Sequence, residues 1–151
     1  MSNPTQVQYA VPRRGIPAPS SFRRWVDRAR QGASGSVVIR IVDEAESADL
    51  NGAYRGLHRP TNVLSFPFEG PDGIPVDHLG DLLICAPVVA REAREAGCPL
   101  QSRWAHMVIH GMLHLRGFDH QGEVEAQTME AMETALMAAL GHEDPYKALQ
   151  S

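Results

Sequence analysis

The sequence has few cysteines, few lysines and no long apolar run. Its two cysteines, Cys85 and Cys98, match no CxxC metal or redox pattern, so we expect two buried thiols and no disulfide framework. No apolar stretch approaches the roughly 18 residues that span a bilayer, and residues 1–15 lack the apolar segment of a secretory signal. These absences predict a cytoplasmic protein that does not enter a membrane.

Lysine is nearly absent, since Lys147 is the only lysine among 14 basic residues. The arginines are unevenly distributed: residues 1–60 hold nine of them against five acidic residues, a balance of +4, and residues 61–151 carry −8, for a net charge of −4. Arginine suits bidentate contact with phosphate, although a GC-rich genome would enrich it too. The net charge argues against a protein that coats nucleic acid broadly. It is still compatible with a local basic face on the surface.

The length of 151 residues predicts one domain with one core, covering residues 1–151 with residues 1–20 partly loop-like. β-Branched and apolar runs bounded by Gly, Pro or Asp predict four strands, at 6–11, 36–42, 62–68 and 79–85. Pro67 indicates that the third strand ends there or lies at a sheet edge. Residues 70–75 are typical of a turn or flexible loop.

Apolar residues at helical spacing predict five helices, at 21–33, 43–56, 87–97, 102–115 and 122–141. We expect Ser20 or Ser21 to cap the first helix and Gly32 and Gly35 to end it. Asp43 opens the second with the spacing of a capping box. The last helix has one apolar face, formed by Met129, Met132, Leu136 and Leu140. The order of elements favours an α+β fold, with a small mixed sheet packed against the helices.

The strongest functional signal is a run of histidines between Trp104 and His120. His110 and His114 lie at i and i+4, so both imidazoles face one side of a helix and can reach one metal ion. Gly117 can stop the helix in a left-handed conformation and turn the chain, which would bring His120 back toward the same ion. Three imidazoles leave a position open for water, a pattern typical of catalytic zinc sites.

Two residues close to this motif have more than one interpretation. His106 lies one turn before His110 on the same face, and we expect it to support a ligand or lie at the surface rather than bind metal. Asp119 could orient an imidazole, cap the helix end or lie in solvent. Single histidines on helices are usually core or surface residues, whereas three with this spacing and a glycine at the turn are difficult to obtain by chance.

The histidine spacing is that of a zinc-protease helix, but Gly111 occupies the position of the glutamate that takes a proton from zinc-bound water in those enzymes. Either another group takes the proton, or the substrate needs no base at that point. Phosphodiester cleavage needs charge stabilisation on the phosphate oxygens and an activated nucleophile. A metalloprotease stays an alternative only if a carboxylate from elsewhere serves as the base.

Three blocks resemble the YbeY family of metal-dependent endoribonucleases: LNGAYRGLHRPTNVLSFPFE at 50–69, LGDLLICAPVV at 79–89 and WAHMVIHGMLHLRGFDH at 104–120. The likeness covers roughly residues 36–146 and is loose over the first 30. It implies a single YbeY-like metallohydrolase domain with the activity of a zinc-dependent, single-strand-specific endoribonuclease. It also implies action in the cytoplasm on the 3′ end of small-subunit ribosomal RNA and in ribosome quality control, with the small subunit and its assembly factors as partners.

The resemblance also assigns residues of the site. It implies one Zn²⁺ per chain, with another divalent transition metal as the alternative, held by His110, His114 and His120. It gives Arg55 a catalytic role together with His110, although from the residues alone an Arg at a helix end commonly meets the last carbonyls or solvent. The two basic residues that follow Arg55 are the expected RNA contacts, namely His58 and Arg59.

The chain departs from the pattern that many family members share. Leu57, His58 and Arg59 replace a Lys-Asp-Lys run, Asn62 replaces Asp, and Phe118 stands where members often have Tyr. These differences concern contacts with RNA rather than the metal ligands. A non-enzymatic alternative also stays open, in which the chain is a ribosome-assembly factor whose metal only holds the last segment in place.

Overall fold

Four strands form one mixed sheet in the computed structural model, which describes residues 4–70, 77–119 and 121–147. The strands are β1 Thr5–Tyr9, β2 Ser36–Val42, β3 Val63–Pro67 and β4 His78–Cys85, in the spatial order β1-β2-β4-β3. β2 runs parallel to β1 and β4, and β3 runs antiparallel to β4 with Ser65 opposite Leu82. As predicted, Pro67 ends a strand at the edge of the sheet.

Five helices complete the predicted α+β class, and they are α1 Pro19–Arg30, α2 Glu44–Arg55, α3 Ala86–Ala96, α4 Leu100–Leu115 and α5 Glu123–Ala139. α2 begins as its sequence predicts, because the Oδ1 atom of Asp43 accepts the N–H of Glu46 at 2.9 Å. The Glu46 carboxylate accepts two hydrogen bonds from Arg40 of β2. α2 is thereby tied to the sheet at its first turn, and Gly56 follows its last residue.

The first helix differs from its prediction at both ends. It begins at Pro19, whose fixed φ suits the first turn and whose missing N–H costs nothing there. The expected cap by Ser20 or Ser21 is therefore wrong, and no side chain caps this helix. The helix also ends before the two glycines expected to stop it, because Gln31 already takes a left-handed conformation with φ 46°.

Three further expectations have mixed outcomes. Cys85 is buried, but Cys98 is only half-buried, so the expectation of two buried thiols is wrong for Cys98; both thiols are free. The predicted loop at 70–75 lies, from residue 71 onward, outside the described residues. Among the described residues, no helix combines the length and the apolar character that crossing a bilayer requires.

The two faces of the sheet carry separate apolar clusters, because successive residues of a strand point to opposite sides. Leu82 and Ile84 of β4 belong to the larger cluster, with residues of α1, α4 and α5. Leu83 and Cys85 belong to the smaller one, with Val88 of α3. α4 packs against α1, α3, α5 and the sheet, and ten of its 16 residues are buried. The histidine motif therefore lies on the most enclosed helix of the fold.

Candidate metal centre and active site

α4 brings two of the predicted ligands together. His110 and His114 lie one turn apart, and their Nε2 atoms are 3.2 Å apart. Two nitrogen ligands on a tetrahedral zinc ion at about 2.0–2.1 Å are themselves about 3.3–3.4 Å apart. The observed spacing therefore fits two imidazoles that share one ion.

The hydrogen bonding of His110 fits the same role. Its Nδ1 atom lies 2.9 Å from the Oε1 atom of Glu133, so we assign the ring proton to Nδ1. The lone pair is then on Nε2, the atom that faces His114. A carboxylate behind a ligating imidazole is the usual arrangement in metal sites.

The third predicted ligand, His120, lies outside the described residues. Within the ranges 4–70, 77–119 and 121–147, no group of three or more His, Cys, Asp or Glu side chains is arranged to hold a metal. The described part of the chain thus supplies two imidazoles that fit an ion. A third ligand from His120 stays a prediction.

Glu133 contacts His110 and was not predicted from the sequence patterns. It lies on α5, and its side chain is 1% exposed. Its Oε2 atom lies 2.5 Å from the Nε2 atom of His106 and also accepts the hydroxyl of Tyr146. Burial alone would raise the pKa of Glu133, but the hydrogen bonds and charges of His106 and His110 outweigh it and hold that pKa well below its ordinary value.

His106 does not face the pocket that contains the other histidines. It is 5% exposed, and its Nδ1 atom lies 3.3 Å from Nη1 of Arg103. The second guanidinium nitrogen of Arg103 donates to Glu92 at 2.7 Å, and Glu92 also accepts from the amide of Asn62. His106 thus reaches His110 through Glu133, and its expected role in supporting a ligand stays a prediction.

The turn after α4 begins with the positive φ that the sequence predicts for Gly117. Gly117 has a φ of 96°, a conformation that other residues rarely adopt. The ring of Phe118 lies under the guanidinium of Arg116, whose carbon atom is 5.2 Å from the ring centre. Phe118 and Asp119 both line the pocket beside the histidines. Whether Asp119 orients an imidazole stays a prediction.

One open pocket of roughly 660 Å³ contains the predicted catalytic residues. Its described lining comes from four parts of the chain: the end of α2 with Tyr54 and Arg55, the segment 61–67 around β3, the end of α4 with His110 and His114, and the turn after α4. Arg55 is exposed and is the only Arg or Lys among the residues that line this pocket. The structure therefore brings the predicted arginine and the histidine pair to one surface.

Three comparisons with known proteins bear on this arrangement. The model of the family described as Endoribonuclease YbeY matches residues 19–141. The chain belongs to the YbeY family. A protein named Endoribonuclease YbeY from Methylococcus capsulatus is 56% identical over 135 residues, which is 89% of this chain and 90% of that protein. One of the same name from Nitrosococcus oceani is 50% identical over 153 residues, covering 99% of this chain and 100% of that protein.

A solved structure supports the fold alone. A protein from Thermotoga maritima, determined in solution, superposes with a TM-score of 0.56 at 22% sequence identity, over 95% of this chain and 99% of that chain. The family match also reaches further toward the N-terminus than the sequence blocks indicate, since it includes all of α1. The expected limit near residue 36 is therefore wrong.

The two expected RNA contacts lie outside the pocket lining. His58 and Arg59 are exposed, and neither lines the pocket that Arg55 lines. The Nε2 atom of His58 lies 4.0 Å from a carboxylate oxygen of Asp49, with both side chains about three-quarters exposed. A direct role for either residue in a YbeY-type site stays a prediction.

Proposed function

We propose that the chain is a zinc-dependent endoribonuclease that cleaves single-stranded RNA in the pocket formed by Arg55, His110 and His114. Membership of the YbeY family supports the coarser statement, an RNA-cleaving hydrolase. The observation that carries the finer one is the presence of a guanidinium and an adjacent imidazole pair in a single pocket. The guanidinium can neutralise charge on a phosphate, while the imidazole pair holds a metal ion.

The metal would be held by His110 and His114, with His120 as the third ligand. Zinc suits an all-imidazole ligand set, and another divalent transition metal is the alternative. When bound, such an ion supplies a Lewis acid for phosphate oxygens and lowers the pKa of a coordinated water. His110 contributes to catalysis by presenting the lone pair of its Nε2 atom, while its Nδ1–H donates to Glu133.

Arg55 would bind the scissile phosphate. It is the last residue of α2, so its side chain extends from a fixed backbone into the pocket wall. A guanidinium offers two parallel N–H donors to two phosphate oxygens. Because charge on those oxygens increases as the phosphodiester bond breaks, this contact strengthens in the transition state.

Aromatic side chains beside the pocket support a preference for single strands. Tyr54 is 57% exposed, and its ring packs edge-on against Phe66 with the ring centres 4.6 Å apart. Unpaired bases can stack on exposed aromatic rings, whereas bases within an RNA duplex cannot reach them. Tyr54 and Arg55 both line the pocket, so a base stacked on the ring would place its phosphate on the same surface as the guanidinium.

The biological setting is proposed on the family relationship. We infer that the substrate is ribosomal RNA, that the cleavage matures the 3′ end of the small-subunit RNA, and that the chain takes part in ribosome quality control. Its partners would then be the small subunit and its assembly factors, in the cytoplasm. These statements on substrate, partners and location rest on family membership, whereas the geometry of the pocket supports only the cleavage of RNA.

An end-mapped cleavage assay tests the proposal. Single-stranded RNA that carries the small-subunit 3′ end is incubated with zinc-loaded protein, with His114→Ala, and with His142→Ala as the matched control. His142 bonds to Ser102 and does not line the site pocket. We expect cleavage by native protein and by His142→Ala and none by His114→Ala. Equal cleavage by His114→Ala, or cleavage of a peptide library in place of RNA, would overturn the proposal.

A further inference from the structure

Glu133 is a buried carboxylate on a helix face that is otherwise apolar. Met129, Leu136 and Met137 of the same helix are buried in the core beside it. An ionised carboxylate in such a position is strongly destabilising unless hydrogen bonds and opposite charges compensate for the loss of water. Glu133 is nevertheless buried at this position, so the hydrogen-bond partners of its carboxylate indicate its role.

Both carboxylate oxygens of Glu133 have a defined partner. Oε1 accepts from Nδ1 of His110 at 2.9 Å, and Oε2 lies 2.5 Å from Nε2 of His106. The Tyr146 hydroxyl also donates to Oε2. Since these donors approach from α4 and from the segment after α5, the carboxylate plane is fixed from two directions.

The consequence falls on the ring of His110. A neutral imidazole carries one N–H and one lone pair, and a carboxylate beside Nδ1 favours the form with the proton on Nδ1. Nε2 of His110 then presents its lone pair at 3.2 Å from Nε2 of His114. In the other tautomer, a proton on Nε2 would block the metal position.

Tyr146 adds a second restraint on Glu133. Its hydroxyl bonds to the carboxylate, and its ring packs edge-on against His106 with the centres 5.5 Å apart. His106 is itself held by Arg103 through Nδ1. The carboxylate thus belongs to a connected set of contacts that extends to Tyr146, beyond the end of α5.

We propose that Glu133 is a positioning residue of the metal centre, which sets the tautomer and orientation of His110, and that Tyr146 holds Glu133 in place. The proposal rests on the proposed metal-dependent function, but it concerns only side chains of this chain. It makes α5 and the segment after it part of the site, although neither contributes a predicted metal ligand.

The first test needs no metal and no RNA. In zinc-free protein labelled with ¹⁵N-histidine, the ring nitrogen shifts of His110 report its tautomer. We expect the Nδ1–H form in native protein and a mixture in Glu133→Gln, because a carboxamide has one acceptor oxygen where the carboxylate has two. Glu130→Gln, which removes an exposed charge from the same helix, is the matched control and should resemble native protein. An Nε2–H form of His110 in native protein would overturn the proposal.

The second test measures zinc affinity by competition with a chromophoric chelator. Glu133→Gln should weaken binding by about 10–100-fold, Tyr146→Phe by severalfold, and Glu130→Gln not at all. If Glu133→Gln fails to fold, Tyr146→Phe decides the outcome, since it removes a single hydroxyl. Native affinity in both Glu133→Gln and Tyr146→Phe would refute the positioning role. Native protein that binds zinc tightly in the Nδ1–H form but cleaves no RNA would instead refute the proposed function alone.

Discussion

Gly111 has a packing role that the histidine spacing does not indicate. The sequence suggests a missing base, but an added Cβ at Gly111 would lie 2.7 Å from a methyl carbon of Leu82 and 3.3 Å from the hydroxyl oxygen of Ser65. The Ser65 hydroxyl also donates to the Gly111 carbonyl at 3.1 Å. Position 111 therefore faces the sheet rather than the pocket, and a glycine there lets α4 approach β3 and β4 closely.

This packing changes the expected effect of a substitution at Gly111. From the sequence, we expect Gly111→Glu to hinder RNA cleavage by placing a charge beside the phosphate, without creating proteolysis. The structure instead places that side chain against buried Leu82, where burial of a carboxylate is strongly destabilising. We now expect Gly111→Glu to unfold the protein before it affects the phosphate.

Gly111→Ala gives the measurable version of this argument. Overpacking against Leu82 should destabilise by about 1–3 kcal/mol, and the better helix propensity of alanine should offset about 0.5–1 kcal/mol of that loss. Urea unfolding should therefore show a net loss of about 0–2.5 kcal/mol, or about 1.3 kcal/mol at the midpoints of the two ranges, with an unchanged m-value. A variant as stable as native protein would mean that Leu82 has room to move.

For Arg55, the proposed mechanism predicts a large effect of substitution on the cleavage rate. If its guanidinium contacts the scissile phosphate, Arg55→Ala should lower the single-turnover cleavage rate on the order of 10²-fold, comparable to removal of one oxyanion donor. Arg55→Lys should recover part of the rate, because an ammonium lacks the planar pair of donors. Zinc content and melting temperature should stay native, since Arg55 is exposed and outside the ligand set.

Two outcomes would contradict this role of Arg55. Cleavage by Arg55→Ala at the native rate would leave Arg55 as an ordinary residue at a helix end. Loss of zinc together with activity would make it structural. In either case the phosphate contact has no support.

The two thiols should differ in reactivity. Burial raises the pKa of the Cys85 thiol, and the thiolate is the reactive form. Cys98 is half-buried and should react with a chromogenic disulfide reagent in the native protein. We therefore expect one fast thiol per chain at neutral pH, which Cys98→Ser removes and Cys85→Ser keeps. Two fast thiols would indicate that β4 opens readily.

The site shows which residues a sequence can identify. His110 and His114 are predictable because they are one turn apart on one helix, a relation fixed by helix geometry. Glu133 is joined to them by contact between two helices, which no local spacing encodes. One signal was available, since a glutamate within the stripe of Met129, Met132 and Leu136 is out of place on a buried face.

At the scale of elements, local patterns predicted the helices and strands well and their arrangement less well. The second strand was predicted at its observed bounds, and α2 starts at the predicted cap. The order β1-β2-β4-β3 could not be read from the chain, because pairing between β2 and β4 joins residues about 42 positions apart and depends on packing of whole layers.

The part of the pocket lining formed by the end of α2 and by β3 leads to a separate prediction about RNA binding. Exposed Tyr54, backed by Phe66, should stack on an unpaired base, and such stacking contributes about 1–3 kcal/mol per base. Tyr54→Ala should therefore weaken binding of a single-stranded oligoribonucleotide by about 5–160-fold, while Tyr54→Phe should bind as native protein does. Fluorescence anisotropy in zinc-free protein separates this effect from cleavage.

The RNA-binding experiment on Tyr54 has a control variant and two outcomes that would contradict the prediction. Val124 is 71% exposed on α5 and does not line the pocket, so Val124→Ala should leave RNA binding unchanged. Equal affinity of Tyr54→Ala and native protein would remove the stacking contact. Weakened binding to duplex RNA as well would argue against single-strand selectivity.

At the scale of the whole molecule, charge decides how RNA can approach. The net charge of −4 disfavours broad attraction of a polyanion. Among the exposed basic residues, two sources of positive charge can be compared: the guanidinium of Arg55 in the pocket lining, and the exposed arginines of α1, which include Arg23, Arg24 and Arg28. The two sources predict different salt dependence.

Binding through the pocket should depend weakly on salt. Each phosphate neutralised on a single strand contributes a slope of about −0.7 to log K against log salt concentration, so one or two contacts predict a slope of about −0.7 to −1.4 and a loss of about 3- to 7-fold between 50 and 200 mM salt. Arg55→Gln should reduce the slope by about 0.7. A double variant with Arg24→Gln and Arg28→Gln should leave it unchanged. A slope near −3 that falls by about 1.4 in the double variant would instead mean that α1 binds the RNA, since its exposed guanidiniums would then contact phosphates together with Arg55.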